Sequence, residues 1–313
     1  MRLQAGLAFL RRIRTCRWCL RALNLVLGLA MAIFVGRYLV GSWQYLSQAK
    51  IALDWASFCG ALGIFGANFL VFAAVWHWTV VRFGGPSDIG RNALYYAYTY
   101  LARFLPTPAW FVASRMRLYG QAGMKWRAIA VTTALETLLH VATGLALYGL
   151  LMVNLRQTGS WLWLLAGLPL FLAILRPDWL ELRWVNPGGA ELGLRRRDLL
   201  LWLALYTVTW VLAVPFLVLI VKGLGQPLLP SLAEMWRIWI LSSLIGYVAA
   251  YTFGGMGILR EFTLTWYLGG YYTPPIALLI AVGSKLALMI GGLLWAGGLW
   301  IMISGWSRLH RVD

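Results

Sequence analysis

The sequence predicts an all-α integral membrane protein that has six transmembrane helices and two oppositely oriented re-entrant helical hairpins, arranged as an inverted repeat. Its composition excludes a soluble globule, because 61% of the residues are hydrophobic and only 12% are charged, too few to cover a water-facing fold. Six apolar runs are long enough to cross a bilayer, and two further runs are interrupted near their middle. The net charge of +17 is concentrated between the runs, which is typical of basic cytoplasmic loops.

The six predicted crossings divide the chain without leaving room for a soluble domain. The first run is longer than the apolar core of a cleavable signal peptide, so we expect it to be a retained span. The longest hydrophilic stretch, 176–198, is too short to fold alone. We therefore expect one polytopic domain over 1–313, with 51–155 and 199–304 as the two repeats. The crossings are expected at about 22–40, 51–81, 128–153, 160–175, 199–221 and 274–304.

The two interrupted runs, at about 92–119 and 238–270, predict the hairpins. In the first, Pro106 and Pro108 each push the preceding residue out of the helical region, so an arriving helix ends there. Thr107 followed by Pro108 is then a suitable N-cap and first-turn pair for a second helix. In the other run three glycines permit a tight turn between two short apolar arms. The predicted hairpin tips are Pro106, Thr107, Pro108, Gly254, Gly255 and Gly257.

The two interrupted runs also match each other in organisation. "YLARFLPTPAWFVASRMRLYGQAG" from Tyr100 and "YVAAYTFGGMGILREFTLTWYLGG" from Tyr247 align without a gap, with their breaks in register and a crossing after each. The two share three identities, so the common order of elements carries the comparison. Paired discontinuous segments of opposite orientation are typical of inverted repeats that place a binding site near the bilayer midplane.

The distribution of basic residues predicts the orientation. If the N-terminal tail is cytoplasmic and both interrupted runs return to the side from which they start, nineteen of the 27 lysines and arginines fall on the cytoplasmic side. We then expect the protein in the cytoplasmic (inner) membrane, with both termini and the loop 176–198 on the cytoplasmic side. In a chain this apolar, the positive charge favours an anionic lipid as the partner and argues against nucleic acid.

Five charged residues lie within the apolar segments, where each costs about 3 kcal/mol or more unless it is paired or hydrated. One interpretation is that they neutralise one another as structural clamps around the hairpins. The other is an anion site, in which basic side chains and the ends of half-helices hold a phosphate. Arg115, which lies outside these five, belongs either to this site or to the cytoplasmic positive cluster. The expected head-group ligands are Arg103, Arg115, Arg260 and Lys285, and the acids are Glu136 and Glu261.

Glu136 and His140 are four residues apart, on one face of the third predicted crossing, as a proton relay or a general acid–base pair would be. The alternative for His140 is a packing role with a hydrogen bond. The sequence shows neither a cluster of metal ligands nor a nucleophile spaced from a base, so we expect no enzyme, no metal and no cofactor. The isolated "CRWC" of Cys16 and Cys19 is weak support for a metal site.

Four motifs resemble a known family. These are "RFLPTPAWFVASRMRLYGQAGM", the Glu in "TTALETLLH", "FGGMGILREFTLTWYL" and "PPIALLIAVGSKL". Together they resemble the flippase-like transmembrane region of lysylphosphatidylglycerol synthase and its stand-alone relatives associated with glycosyltransferases. Phe253 stands where that family usually has Pro, and Lys285 where it has Arg. The synthase's aminoacyl-transferase domain has no counterpart here.

The resemblance implies a flippase that translocates a polyprenyl-phosphate-linked sugar or an anionic phospholipid, with a membrane glycosyltransferase as a candidate partner. Two alternatives stay open: a membrane-embedded enzyme such as a lipid-linked glycosyltransferase, and a non-transporting partner of one. The sequence offers no sizeable loop with a carboxylate over a donor site, which such an enzyme needs.

An inverted repeat brings the crossing after each hairpin towards the other hairpin. We therefore expect Glu136 to pair with Lys285 or Arg260, and Glu261 with Arg103 or Arg115. At least one of these carboxylates should lie within about 4 Å of a basic nitrogen from the other half. Pairing within each half alone would count against a shared central site.

Overall fold

The computed structural model describes residues 53–104, 108–153, 165, 195–253 and 258–309, and within these ranges the regular structure is helical, without a strand. The predicted crossings 22–40 and 160–175 lie outside the described residues, as do Cys16 and Cys19. A 3₁₀ turn, Ala102–Phe104, follows the second described helix. The described α-helices are α1 Trp55–Arg82, α2 Ile89–Leu101, α3 Pro108–Gln121, α4 Trp126–Met152, α5 Arg196–Gly223, α6 Leu232–Phe253, α7 Ile258–Leu268 and α8 Pro274–Leu309.

Four of these helices, α1, α4, α5 and α8, are long and apolar enough to cross a membrane. Each has 27 residues or more, which gives a length of about 40 Å at 1.5 Å per residue. That length matches a bilayer with its interfacial regions. The all-α class is therefore confirmed for the described residues, and four of the six predicted crossings coincide with helices that are long and apolar enough to span a membrane.

Helices α1 and α5 form an antiparallel pair that is fastened at both ends. At one end the backbone N–H of Asp54 donates to the carbonyl of Gly223 at 2.9 Å. At the other, Arg82 Nη2 donates to Asp198 Oδ2 at 2.6 Å. These contacts define the two ends of the helix bundle, which are called the Asp54 end and the Arg82 end below.

The first interrupted run folds back on itself. Tyr95 contacts Tyr119 with ring centroids 5.2 Å apart, and nearer the break the Arg103 guanidinium lies 4.4 Å from the Phe111 ring. The pair close to residues 105–107 joins positions 103 and 111, and the pair farther away joins positions 95 and 119. Helix α3 therefore runs antiparallel to α2. Pro106 and Thr107 lie outside the described residues, and α3 begins at Pro108, the position expected for a proline in a first turn.

This run begins and finishes at the Arg82 end. The turn after α1 contains Gly85, and a Cβ on Gly85 would lie 3.1 Å from the Sδ of Met124, which precedes α4. The start of α2 and the start of α4 are therefore neighbours. Helix α4 then runs to the opposite end, where Arg237 at the start of α6 donates to the Leu151 carbonyl from Nε at 3.1 Å and from Nη2 at 2.7 Å.

The second interrupted run begins and finishes at the Asp54 end. The Tyr272 hydroxyl, between α7 and α8, donates to the carbonyl of Pro227 at 2.9 Å and accepts from the N–H of Leu229 at 3.3 Å. Both partners lie between α5 and α6. The two interrupted runs therefore open towards opposite ends of the bundle. Gly254, Gly255 and Gly257, the predicted tip of this run, lie outside the described residues.

The prediction of two short arms is wrong for the second run. Helix α7 has 11 residues, but α6 has 22, about 33 Å at 1.5 Å per residue. Helix α6 begins six residues before the apolar run, because the Ser231 hydroxyl accepts from the N–H of Glu234 at 3.2 Å and caps the helix there. The polar first turn of α6 is thus helical, which the hydropathy pattern alone does not indicate.

The two halves pack against each other reciprocally. Helix α4, which follows the first interrupted run, packs on α6 of the second, and α8, which follows the second, packs on α2 of the first. The α8–α2 contact is close: a Cβ on Gly292 would lie 3.0 Å from the Tyr100 ring. Small residues permit this approach of helices in membranes. The exchange is the packing that the inverted repeat predicts.

Candidate functional site

Glu136 forms the centre of a first buried charge cluster. It lies on α4 and is 3% exposed. Its Oε1 accepts from Arg103 Nη2 at 2.9 Å and from the Tyr96 hydroxyl at 3.3 Å, while its Oε2 accepts from Arg115 Nη1. Glu136 thus pairs with Arg103 and Arg115; of the two roles expected for it, charge pairing is the one that these contacts fit. Two arginines on one carboxylate leave the cluster with one positive charge.

The two arginines of this cluster are in different surroundings. Arg115 has no exposed surface, and its guanidinium lies 3.5 Å from the Trp76 ring and 4.2 Å from the Phe111 ring. The Trp76 indole is held in turn, since its Nε1 donates to the Tyr119 hydroxyl at 2.6 Å. The side chain of Arg103, on the 3₁₀ turn beside residues 105–107, is 24% exposed. In this conformation Arg103 is accessible from outside the cluster and Arg115 is not.

Glu261 forms the centre of a second cluster, on α7. Its Oε1 accepts from Arg260 Nη1 at 3.0 Å and its Oε2 from Lys285 Nζ at 3.1 Å. The Arg260 guanidinium lies 4.3 Å from the Trp239 ring, and its Nε lies 3.4 Å from the Ser243 hydroxyl. Its Nη2 is buried with no hydrogen-bond partner among the described residues. This cluster also has one positive charge in excess.

The predicted ion pairs between the halves are wrong. Glu136 pairs with Arg103 and Arg115 of its own half, and Glu261 pairs with Arg260 and Lys285 of its own half. The reason is local packing: α3 packs on α4, and α7 packs on α8. Each acid therefore meets bases from the interrupted run of its own half or from the helix that follows that run.

The two clusters nevertheless adjoin one another. The Arg103 guanidinium lies 5.9 Å from the ring of Tyr100 on α2. On α6, Tyr247 follows Gly246, where an added Cβ would lie 2.8 Å from the Cβ of Arg260. Tyr247 in turn contacts His140 of α4, with ring centroids 5.5 Å apart. Tyr100 and Tyr247 are also the residues that the gapless alignment of the two interrupted runs places in register. The two clusters are thus linked through tyrosines, and within the described residues no ion pair joins one cluster to the other.

His140 is packed among aromatic rings. It stacks on Trp210 with centroids 4.4 Å apart and an interplanar angle of 4°, and its edges meet Phe72 and Tyr206. It is 7% exposed, and its Nδ1 has no hydrogen-bond partner among the described residues. No hydrogen bond joins it to Glu136 in this part of the chain, because Arg103, Arg115 and Tyr96 occupy that carboxylate. This placement fits the packing alternative, without its hydrogen bond, better than the proton relay.

Several residues of the two clusters were not predicted from the sequence. Helical spacing contains a usable signal for most of them: Phe111 is four residues before Arg115, and Trp239, Ser243 and Gly246 follow one face of α6. The position of Trp76 carries no such signal, since α1 is distant in sequence. Within the described residues no group of three or more His, Cys, Asp or Glu side chains is placed to hold a metal ion.

Comparisons with protein-family models, with curated proteins and with solved structures gave no match to this chain.

Proposed function

We propose that this chain is a flippase that translocates an anionic lipid across the cytoplasmic membrane, with a polyprenyl-phosphate-linked sugar or an anionic phospholipid as the substrate. One observation carries the proposal. Within an apolar helical bundle, the described residues set four basic side chains against only two carboxylates. Uncompensated positive charge at membrane depth is costly, so an anionic ligand that neutralises it binds favourably.

The individual side chains have different roles in this proposal. Arg103, Arg260 and Lys285 contact the anionic head group, because their side chains are partly exposed and the buried Nη2 of Arg260 has a free donor. Arg115, whose guanidinium contacts the Trp76 and Phe111 rings, holds Glu136 in place. Charge-assisted hydrogen bonds from guanidinium groups suit phosphate oxygens, which accept two parallel N–H donors.

The two interrupted runs are re-entrant hairpins of an inverted repeat in this proposal. Their opening towards opposite ends of the bundle supports it, since alternating access needs one gate on each side. The head group enters the region between the clusters while the lipid tails stay in the bilayer. Among the described residues neither Glu136 nor Glu261 pairs with a base of the other half, which removes one support for a shared site. The proposal therefore rests on the excess charge of the two clusters and on their proximity.

Transport by the purified full chain in vesicles tests the proposal. The probes are an anionic and a zwitterionic phospholipid that carry the same fluorophore on an acyl chain, with a membrane-impermeant reductant outside. We expect the protein to expose the anionic probe of the inner leaflet, and Arg103→Gln or Arg260→Gln to abolish this while thermal stability stays nearly unchanged. Arg117→Gln, at an exposed position of α3, is the matched control and should transport normally.

The same experiment separates the alternatives. A lipid-modifying enzyme would change the mass of a supplied lipid, and a non-transporting partner would neither move nor alter it. A structural clamp would lose folded protein together with transport in the Arg103 and Arg260 variants, because a formerly paired buried carboxylate loses a partner. Equal movement of both probes, or loss of folded protein in both variants, would overturn the head-group role.

A further inference from the structure

A groove between α1 and α5 lies at the Arg82 end, away from both charge clusters. It has a volume of about 390 Å³ and is lined by Trp78, Val81, Arg82, Asp198, Leu201 and Trp202. Trp202 is buried and forms part of the base of the groove, while Trp78, Val81 and Leu201 are each about 40% exposed or more. The groove is therefore open and mostly apolar, with one polar end.

The polar end is the ion pair between Arg82 and Asp198. The two side chains meet at 2.6 Å and remain partly exposed, at 32% and 23%. Trp78 is one helical turn before Arg82 and faces the same groove. A tryptophan beside a charged group at a helix end is typical of the membrane–water interface. We therefore expect the polar end of the groove at the interface and its apolar residues against the lipid.

A basic rim adjoins this polar end. Arg195, Arg196 and Arg197 occupy the N-cap and first turn of α5, and all three are exposed. Basic residues are unfavourable at a helix N-terminus because the helix dipole is positive there. In the first turn of α5 the acidic residue that offsets them is Asp198, whose carboxylate pairs with Arg82 at 2.6 Å and lies 3.9 Å from Nε of Arg197, a side chain that stays 71% exposed. An anion beside this helix N-terminus would therefore interact favourably both with the exposed arginines and with the helix dipole.

We infer that the groove is a second lipid site, separate from the proposed transport site, that binds one anionic phospholipid of the surrounding bilayer. The rim of Arg195 and Arg197 binds the head group, and one acyl chain lies along Trp78, Val81 and Leu201. Charge complementarity identifies the occupant: a zwitterionic lipid fills the apolar groove equally well but brings no net negative charge to the rim. This site does not depend on transport activity.

Photo-crosslinking in lipid nanodiscs tests the inference on the full chain. The probes are an anionic and a zwitterionic phospholipid that carry the same photoreactive acyl chain, and the crosslinked peptides are mapped by mass spectrometry. We expect the anionic probe to label the α1 and α5 peptides around Trp78 and Leu201 in preference to the zwitterionic probe. Each arginine of the rim should contribute about fivefold to this preference.

Three variants make the test specific. Arg195→Gln with Arg197→Gln should remove most of the preference at the groove, about 30-fold in affinity, while Asp198→Asn should increase it. Arg117→Gln with Arg127→Gln, at two exposed positions away from the groove, should leave it unchanged. If a rim variant does not fold, raising the salt concentration in the unaltered protein should remove the preference instead. Equal labelling by both probes at low salt would overturn the inference.

Discussion

Replacing Glu136 with Gln tests whether the first cluster is a sealed ion-pair network. The substitution keeps the shape of the side chain but leaves Arg115, which has no exposed surface, without a counter-charge. Breaking a buried ion pair from one side costs about 3–5 kcal/mol. The interaction of the guanidinium with the Trp76 ring at 3.5 Å recovers at most about 2 kcal/mol of this. We therefore expect a loss of at least about 1 kcal/mol of unfolding free energy.

The same change at Glu234 is the matched control. Glu234 pairs with Arg237 at 3.3 Å, but the two side chains are 35% and 37% exposed, so Glu234→Gln should cost less than about 1 kcal/mol. Equilibrium unfolding in mixed micelles, followed by tryptophan fluorescence, measures both variants. Adding Arg115→Met to Glu136→Gln removes the stranded charge and should restore much of the stability. A Glu136 variant as stable as the Glu234 variant would show that water reaches the cluster, which would refute the reasoning.

Three further predictions concern topology, packing and pH. In a variant without native cysteines, single cysteines at Asp88 and Lys125 should react with an impermeant thiol reagent from the same side of the membrane; labelling from opposite sides would make the first interrupted run a full crossing. Gly246→Ala should destabilise the protein by about 1–3 kcal/mol, because the new Cβ would lie 2.8 Å from the Cβ of Arg260, and an unchanged thermal midpoint would contradict this contact. A side-chain hydrogen bond from the first turn of α1 lowers the pKa of Asp54 below its ordinary value of 3.8. The contribution of Asp54 to stability is therefore complete above pH 3.8 and is lost as the pH falls through the lowered pKa. The Asp54→Asn variant should lose this decrease at acid pH when thermal stability is measured against pH.

The sequence by itself indicated the membrane environment, the long helices and the two breaks. Apolar runs of bilayer length have few alternatives to a helix, since each backbone polar group must be bonded within the segment. The described helices α1, α4, α5 and α8 accordingly lie where hydropathy predicts them. The first break is equally local, because the restrictions that Pro106 and Pro108 impose act on their immediate neighbours. The presence of Glu136 and Glu261 as buried charge-pairing residues followed from the cost of charge in apolar segments.

Only the tertiary structure decided which charges meet. Helix α4 packs on α6 and α8 packs on α2, an exchange that the hypothesis of an inverted repeat predicts. However, a side chain pairs with the oppositely charged group that lies nearest to it. Because α3 packs against α4, Arg115 lies closer to Glu136 than the bases of the other half do. One of the aromatic rings that contact Arg115 is Trp76, a residue of α1 that lies nearly forty residues earlier in the sequence. The periodicity of a single segment cannot predict that contact. Which residues of two helices meet depends on how the helices pack in the bundle.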